Sequence, residues 1–152
     1  MATGITTTQT FVFEQPRVAR YVALAETAGG FAVPDPTTGL SDRHFHPIEF
    51  PGVIDIPSVI FYRTRHNGKP RFSVRINDAS LTQYTFTDND PPERSWHEII
   101  PARGPAGSTL RPQNNELVFG VSGGSVTFGD VVILYTSNEL TVKIPIVLTA
   151  QQ

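Results

Sequence analysis

Few side chains in this sequence have both the type and the spacing for chemistry. His44-Phe-His46-Pro-Ile-Glu49 is the one cluster with metal-ligand character. On an extended backbone alternate residues point the same way, so two imidazoles would share a face and a nearby carboxylate could complete the set. Exposed loop histidines show the same pattern. Asp88-Asn89-Asp90, with Glu93, gathers the hard oxygens that suit a calcium ion, but it has neither the glycine nor the spacing of an EF-hand. Asp and Asn ahead of Pro91-Pro92 equally bond their own backbone in a turn. Trp96, the sole tryptophan, stands beside this polar turn, where an indole face can stack on the C–H face of a sugar. In an alternating strand the same residue is a core residue. Arg75 and Asn77, with Tyr84 beside them, read as an outward polar row.

Catalytic patterns are thin. Ser58, Ser73, Ser95 and Ser125 lack a Gly-x-Ser-x-Gly setting. Carboxylate pairs exist (Glu49 with Asp55, Glu93 with Glu98), but spacing alone does not place them across a cleft. No glycine-rich loop leads into a helix to cradle phosphate. The expectation is a non-catalytic protein.

The elements that must hold these residues are strands. Leu140, Val142, Ile144, Ile146 and Leu148 alternate with polar positions, a period of two that predicts a half-buried strand on the edge of a core. Val131-Val-Ile-Leu-Tyr135 is apolar on both faces, the pattern of a central strand. Phe72, Val74 and Ile76 point inward, with Arg71, Ser73 and Arg75 outward. Trp96, Glu98 and Ile100 oppose His97 and Ile99. Asn67-Gly68 predicts a tight hairpin between Val59–Arg65 and Pro70–Asn77. Val53 to Arg63 reads as a strand bent at Pro57. Phe31 to Gly52, with four prolines, reads as a long ordered loop. Pro16 to Ala28 fits a short helix or a strand over Val18–Leu24, and the β setting favours the strand. Thr10 to Phe13 reads as a first strand, and residues 1–8 as a flexible arm. About nine or ten strand-length runs in 152 residues predict a single-domain antiparallel β-sandwich of jelly-roll type.

Composition agrees. Thirteen prolines and twelve glycines against 17% charged residues indicate many turns and little helix. The net charge of −2 offers no basic face for nucleic acid. The absence of cysteine removes disulfides, thiolate metal sites and cysteine nucleophiles. No apolar run approaches the roughly 18 residues of a membrane span, and the N-terminus lacks the basic-then-apolar start of a signal peptide. The expected compartment is the cytoplasm, or outside it by a route the sequence does not display.

The segment from residue 70 to 136 resembles the galactose-binding-like and carbohydrate-binding jelly-roll modules. The resemblance is carried by Arg75-Ile-Asn77-Asp78, by Leu110, Asn114 or Asn115, Leu117, Phe119 and Val121, and by Asp130-Val-Val-Ile-Leu-Tyr135. It implies a sandwich that binds carbohydrate through variable loops, here those around Trp96 and the Asp88–Glu93 turn. His44, His46 and Glu49 resemble half of the cupin metal pattern, with shortened gaps and with Leu110 where a second-half His should stand. Three functions follow as expectations: a lectin-like recognition module, an assembly subunit that joins copies of itself through its arm and edge strands, and a cupin-like metal enzyme. No resident cofactor is expected, calcium being the one candidate.

Overall fold

A computed structural model describes residues 2–12 and 18–149, with side chains over 6–12 and 18–140. Its strands in chain order are β1 (Ala2–Val12), β2 (Val18–Ala23), β3 (Phe31–Val33), β4 (Asp42–Ile48), β5 (Ser58–Asn67), β6 (Arg71–Ile76), β7 (Ala79–Thr85), β8 (Glu93–Ile100), β9 (Arg103–Gly104), β10 (Gly107–Ser108), β11 (Asn115–Ser122), β12 (Ser125–Ser137) and β13 (Glu139–Thr149). A single 3-10 turn, Ala25–Thr27, follows β2.

Two sheets face each other. One runs β4-β11-β6-β7; the other runs β2-β12-β5-β8, with β3 also paired to β12. Every named pairing is antiparallel. Numbering the eight main strands one to eight, the pairs are one with eight, two with seven, three with six and four with five. That is a long double-stranded ribbon rolled over on itself, the jelly-roll arrangement. The sequence expectation of an all-β sandwich holds.

The roll follows from alternation. In β5 even-numbered residues are buried and most odd-numbered ones exposed, β6 keeps the same parity, and β8 buries Trp96 and Ile100. Between the sheets the aromatic side chains form one cluster: Phe31 lies 4.9 Å from Phe45, Phe119 4.7 Å from Phe128, and Phe72 5.4 Å from Phe86, measured between ring centres. Edge-on and offset ring pairs of this kind add about 0.5–1.5 kcal/mol each beyond area burial.

Several local expectations are corrected. Asn67-Gly68 does turn the chain, with Gly68 at φ +74, but β5 and β6 do not pair. Both edges of β5 are taken by β12 and β8, so the turn carries the chain to the other sheet. The one tight hairpin of the roll is β6–β7, across Asn77 (φ +50) and Asp78. Phe31 to Gly52 is not a loop throughout, since it contains β3 and β4. Its prolines hide a strand that tolerates Pro47 because β4 is a sheet edge. Pro57 precedes β5 rather than bending it, and Val53 makes only an isolated bridge to Ser137. Val18–Ala23 is strand, as favoured; Phe13, Pro16 and Arg17 lie outside the described residues.

The largest correction concerns the termini. Residues 2–8, expected as a flexible arm, are strand, and Leu140–Leu148 is not an edge of the sandwich. β1 and β13 pair with each other over their full eleven residues, from Ala2 with Thr149 to Val12 with Glu139, as a separate two-stranded sheet. β12 passes through Asn138 directly into β13. The terminal ribbon is therefore the next pair of the roll, carried beyond the sandwich.

Candidate interaction surface

Trp96, a sugar platform in one reading of the sequence and a core residue in the other, lies in the core at 8% exposure. Its indole N–H donates to the Thr64 hydroxyl at 2.8 Å, Tyr62 stacks on it at 6.2 Å, and the Arg94 guanidinium covers it at 3.9 Å. Neither face is open to a sugar ring. The parity of Trp96 with Ile100 carried this signal; Arg94, the residue that caps it, went unnoticed in the sequence.

The acidic turn satisfies itself. Asp90 accepts from the Tyr84 hydroxyl (2.8 Å), the Thr87 backbone N–H (2.7 Å) and the Thr87 hydroxyl, and Arg94 lies 3.7 Å away. The Thr87 N–H and the Tyr84 hydroxyl hold its carboxyl below the ordinary carboxylate range, and the bond to Asp90 pushes the Tyr84 phenol up. Asp88 pairs with Lys69 at 2.9 Å. Asn89 donates its backbone N–H to Thr87. The structure brings Tyr84, Asp90 and Trp96 together around Arg94, as a packed knot with no open cradle.

Arg75, Asn77 and Tyr84 do not form one row. Arg75 is exposed beside Glu116, at 3.8 Å, whereas Tyr84 turns toward Phe72 and Trp96. Asn77 is half-buried: its amide donates to the Thr109 carbonyl and the Asn115 side chain, and its oxygen accepts from Arg111 and the Glu116 N–H. Buried Asn115 in turn donates to the carbonyls of Ile48 and Arg111. This network ties the loop before β11 to the sheet. His44 pairs with Glu116 at 3.0 Å, and among the described residues no three His, Asp or Glu side chains converge as metal ligands.

Two hollows lie beside residues described above. One, of about 200 Å³, lies over Gly30 and Gly129, where Arg63 pairs with Asp130 at 3.0 Å and Arg65 with Glu93 at 2.7 Å. The other, of about 70 Å³, lies between Asn77, Asp78, Ser108 and Arg111. Both fall short of the roughly 300–1,000 Å³ typical of small-molecule pockets.

The unusual feature is a face. On the outside of the β2-β12-β5-β8 sheet, Tyr21, Leu134, Val59 and Ile99 stand opposite one another in a row across all four strands. Ala23, Val132, Phe61 and His97 form the next row. Tyr21 is 71% exposed, Ile99 68%, Phe61 43% and Leu134 41%. At the root of the terminal ribbon Phe11, Val12 and Leu140 are exposed too. The sequence signal lies in runs such as Val59–Tyr62, Ile99-Ile100 and Val131–Tyr135, which are apolar on both faces. No family model, curated protein or solved structure matches this chain.

Proposed function

We propose that the protein is a non-catalytic assembly subunit, a jelly-roll block that joins copies of itself. The observation that carries this reading is the terminal ribbon. An isolated two-stranded ribbon is marginally stable in water and needs a third strand or a surface to pack on. At its root the Glu139 backbone bonds the Ser137 hydroxyl of β12, but among the described residues β1/β13 joins neither sheet of the sandwich as a strand. In the strand order each of its two strands has the other as its neighbour, and a ribbon of two strands offers edges by which strands recruit another chain. Sedimentation of the full chain across concentration tests the reading: a discrete oligomer at micromolar concentration is expected, and a monomer throughout overturns it.

Carbohydrate recognition is a second reading, favoured by the hollow between Asn77, Asp78, Ser108 and Arg111, whose amide, carboxylate, hydroxyl and guanidinium groups suit sugar hydroxyls. It ranks second because the hollow is small. Binding on a glycan array that Arg111→Ala abolishes would promote it; an array without signal would dismiss it.

A further inference from the structure

The terminal ribbon and the bare sheet face are two halves of one contact. We propose that the outer face of the β2-β12-β5-β8 sheet is the seat for the terminal ribbon of a second copy, with the two ribbons exchanged reciprocally; this rests on the assembly reading above.

The face needs cover. Runs apolar on both sides are the mark of strands buried on both sides, yet this chain covers only the inner side of β12 and β5. Tyr21, Phe61, Ile99 and Leu134 remain exposed, so the chain's own ribbon does not lie on them. The opposite outer face, on the β4-β11-β6-β7 sheet, carries Arg71, Ser73, Arg75, Gln83 and His44 instead, all exposed. The apolar rows are thus specific to one side of the sandwich.

The ribbon is the matching piece. Its β13 strand alternates apolar and polar residues in sequence from Leu140 to Ile144, the ribbon is a sheet of two strands, and it leaves the sandwich from the end of β12, three residues beyond Leu134. Beside the rows Arg63 pairs with Asp130 and Arg65 with Glu93, so neither arginine stands as an unpaired cation for a polyanion.

Size decides between one seat and two. Four strands at about 4.8 Å spacing and two rows about 7 Å apart give a footprint of roughly 300 Å², which an eleven-residue ribbon of about 36 Å easily spans. One seat would bury about 600 Å² in total, in the range of crystal contacts, whereas two give about 1,200 Å², the lower edge of specific interfaces. Reciprocal exchange also closes the assembly under a two-fold axis, and one-way seating would propagate.

The absence of cysteine makes the test direct. Full-length Gln9→Cys, on the ribbon, and Ile99→Cys, on the face, are mixed and oxidised, with Ser73→Cys on the opposite face as control. A mixed disulfide dimer at several-fold higher yield for the pair 9/99 than for 9/73 is expected. Ile99→Lys and Leu134→Lys are expected to sediment as monomers with near-native melting temperatures. Cross-linking at 99 no better than at 73, in a chain that does oligomerise, overturns the ribbon seat while leaving the assembly reading in place. A monomeric wild type overturns both. Cosedimentation of that monomer with neutral phosphatidylcholine vesicles, lost in Ile99→Lys, would assign the face to a bilayer instead.

Discussion

The two sheets share one core and present opposite outer surfaces. On the β4-β11-β6-β7 side the single outward apolar residue, Val118, is buried although it faces away from the core. His44 and Arg75 flank it across the strands, and Glu116 holds both, so long polar side chains lie over it. On the β2-β12-β5-β8 side the outward apolar residues are large, adjacent and uncovered. The same backbone pattern therefore yields a finished surface on one side and an unfinished one on the other. Inward alternation alone thus does not describe a sandwich strand; the outward positions differ in chemistry from one sheet to the other.

The two sheets are most sensitive at their shared core. Phe72→Ala empties a fully buried ring site that touches both sheets and should cost about 3–5 kcal/mol in urea unfolding. If hydrogen exchange then showed only one sheet opening, the two would not be a single unit. Asn115→Ala comes next. It removes four side-chain hydrogen bonds and strands the Ile48 and Arg111 carbonyls, a loss of about 3 kcal/mol by the same measurement.

The faces themselves should respond weakly. Arg75→Ala uncovers Val118 and should cost about 0.5–1 kcal/mol, whereas Ile99→Ser, at a site already bare, should stay within about 0.5 kcal/mol in the same urea titration of the monomer. A large loss at Ile99 would mean that the face is covered within its own chain. The smallest effect is acidic. Asp90 titrates below the ordinary carboxylate range in the folded state because Thr87 and Tyr84 donate to it. Its contribution is complete above the unfolded-state value and fades as pH falls through the folded one. Melting temperatures of Asp90→Asn should therefore fall less steeply than wild type below about pH 4.

Much of the architecture was legible in the residues. Phe72, Val74 and Ile76 alternate cleanly, and so do Trp96 and Ile100, because one face of each strand meets the core. Pairing was less legible. Asn67-Gly68 has the chemistry of a hairpin turn, but which strands pair depends on edges supplied by β8 and β12, far away in sequence. Prolines at 34, 36 and 47 obscured β3 and β4, since an edge strand accepts what a central one rejects. Trp96 beside a polar loop suggested a sugar platform; Arg94, its cap, is an unremarkable arginine until the fold places it over the ring. Leu134 was visible only as half of the run Val131–Tyr135, which looked wholly buried, and the rows it shares with Tyr21, Val59 and Ile99 depend on pairings between strands far apart in sequence.

Because every pair in the roll encloses the next, the chain closes from the inside outward. β6 and β7 meet across a two-residue turn, whereas Val131 donates its N–H to the hydroxyl of Thr27 across 104 positions. Long-range closure of this kind is slow when attempted first, and each inner pair shortens the loop left for the next. The outermost pair is the terminal ribbon, so it forms last. In the assembly proposed above, joining between copies would thereby be timed: a chain would offer its ribbon only after the block behind it is complete.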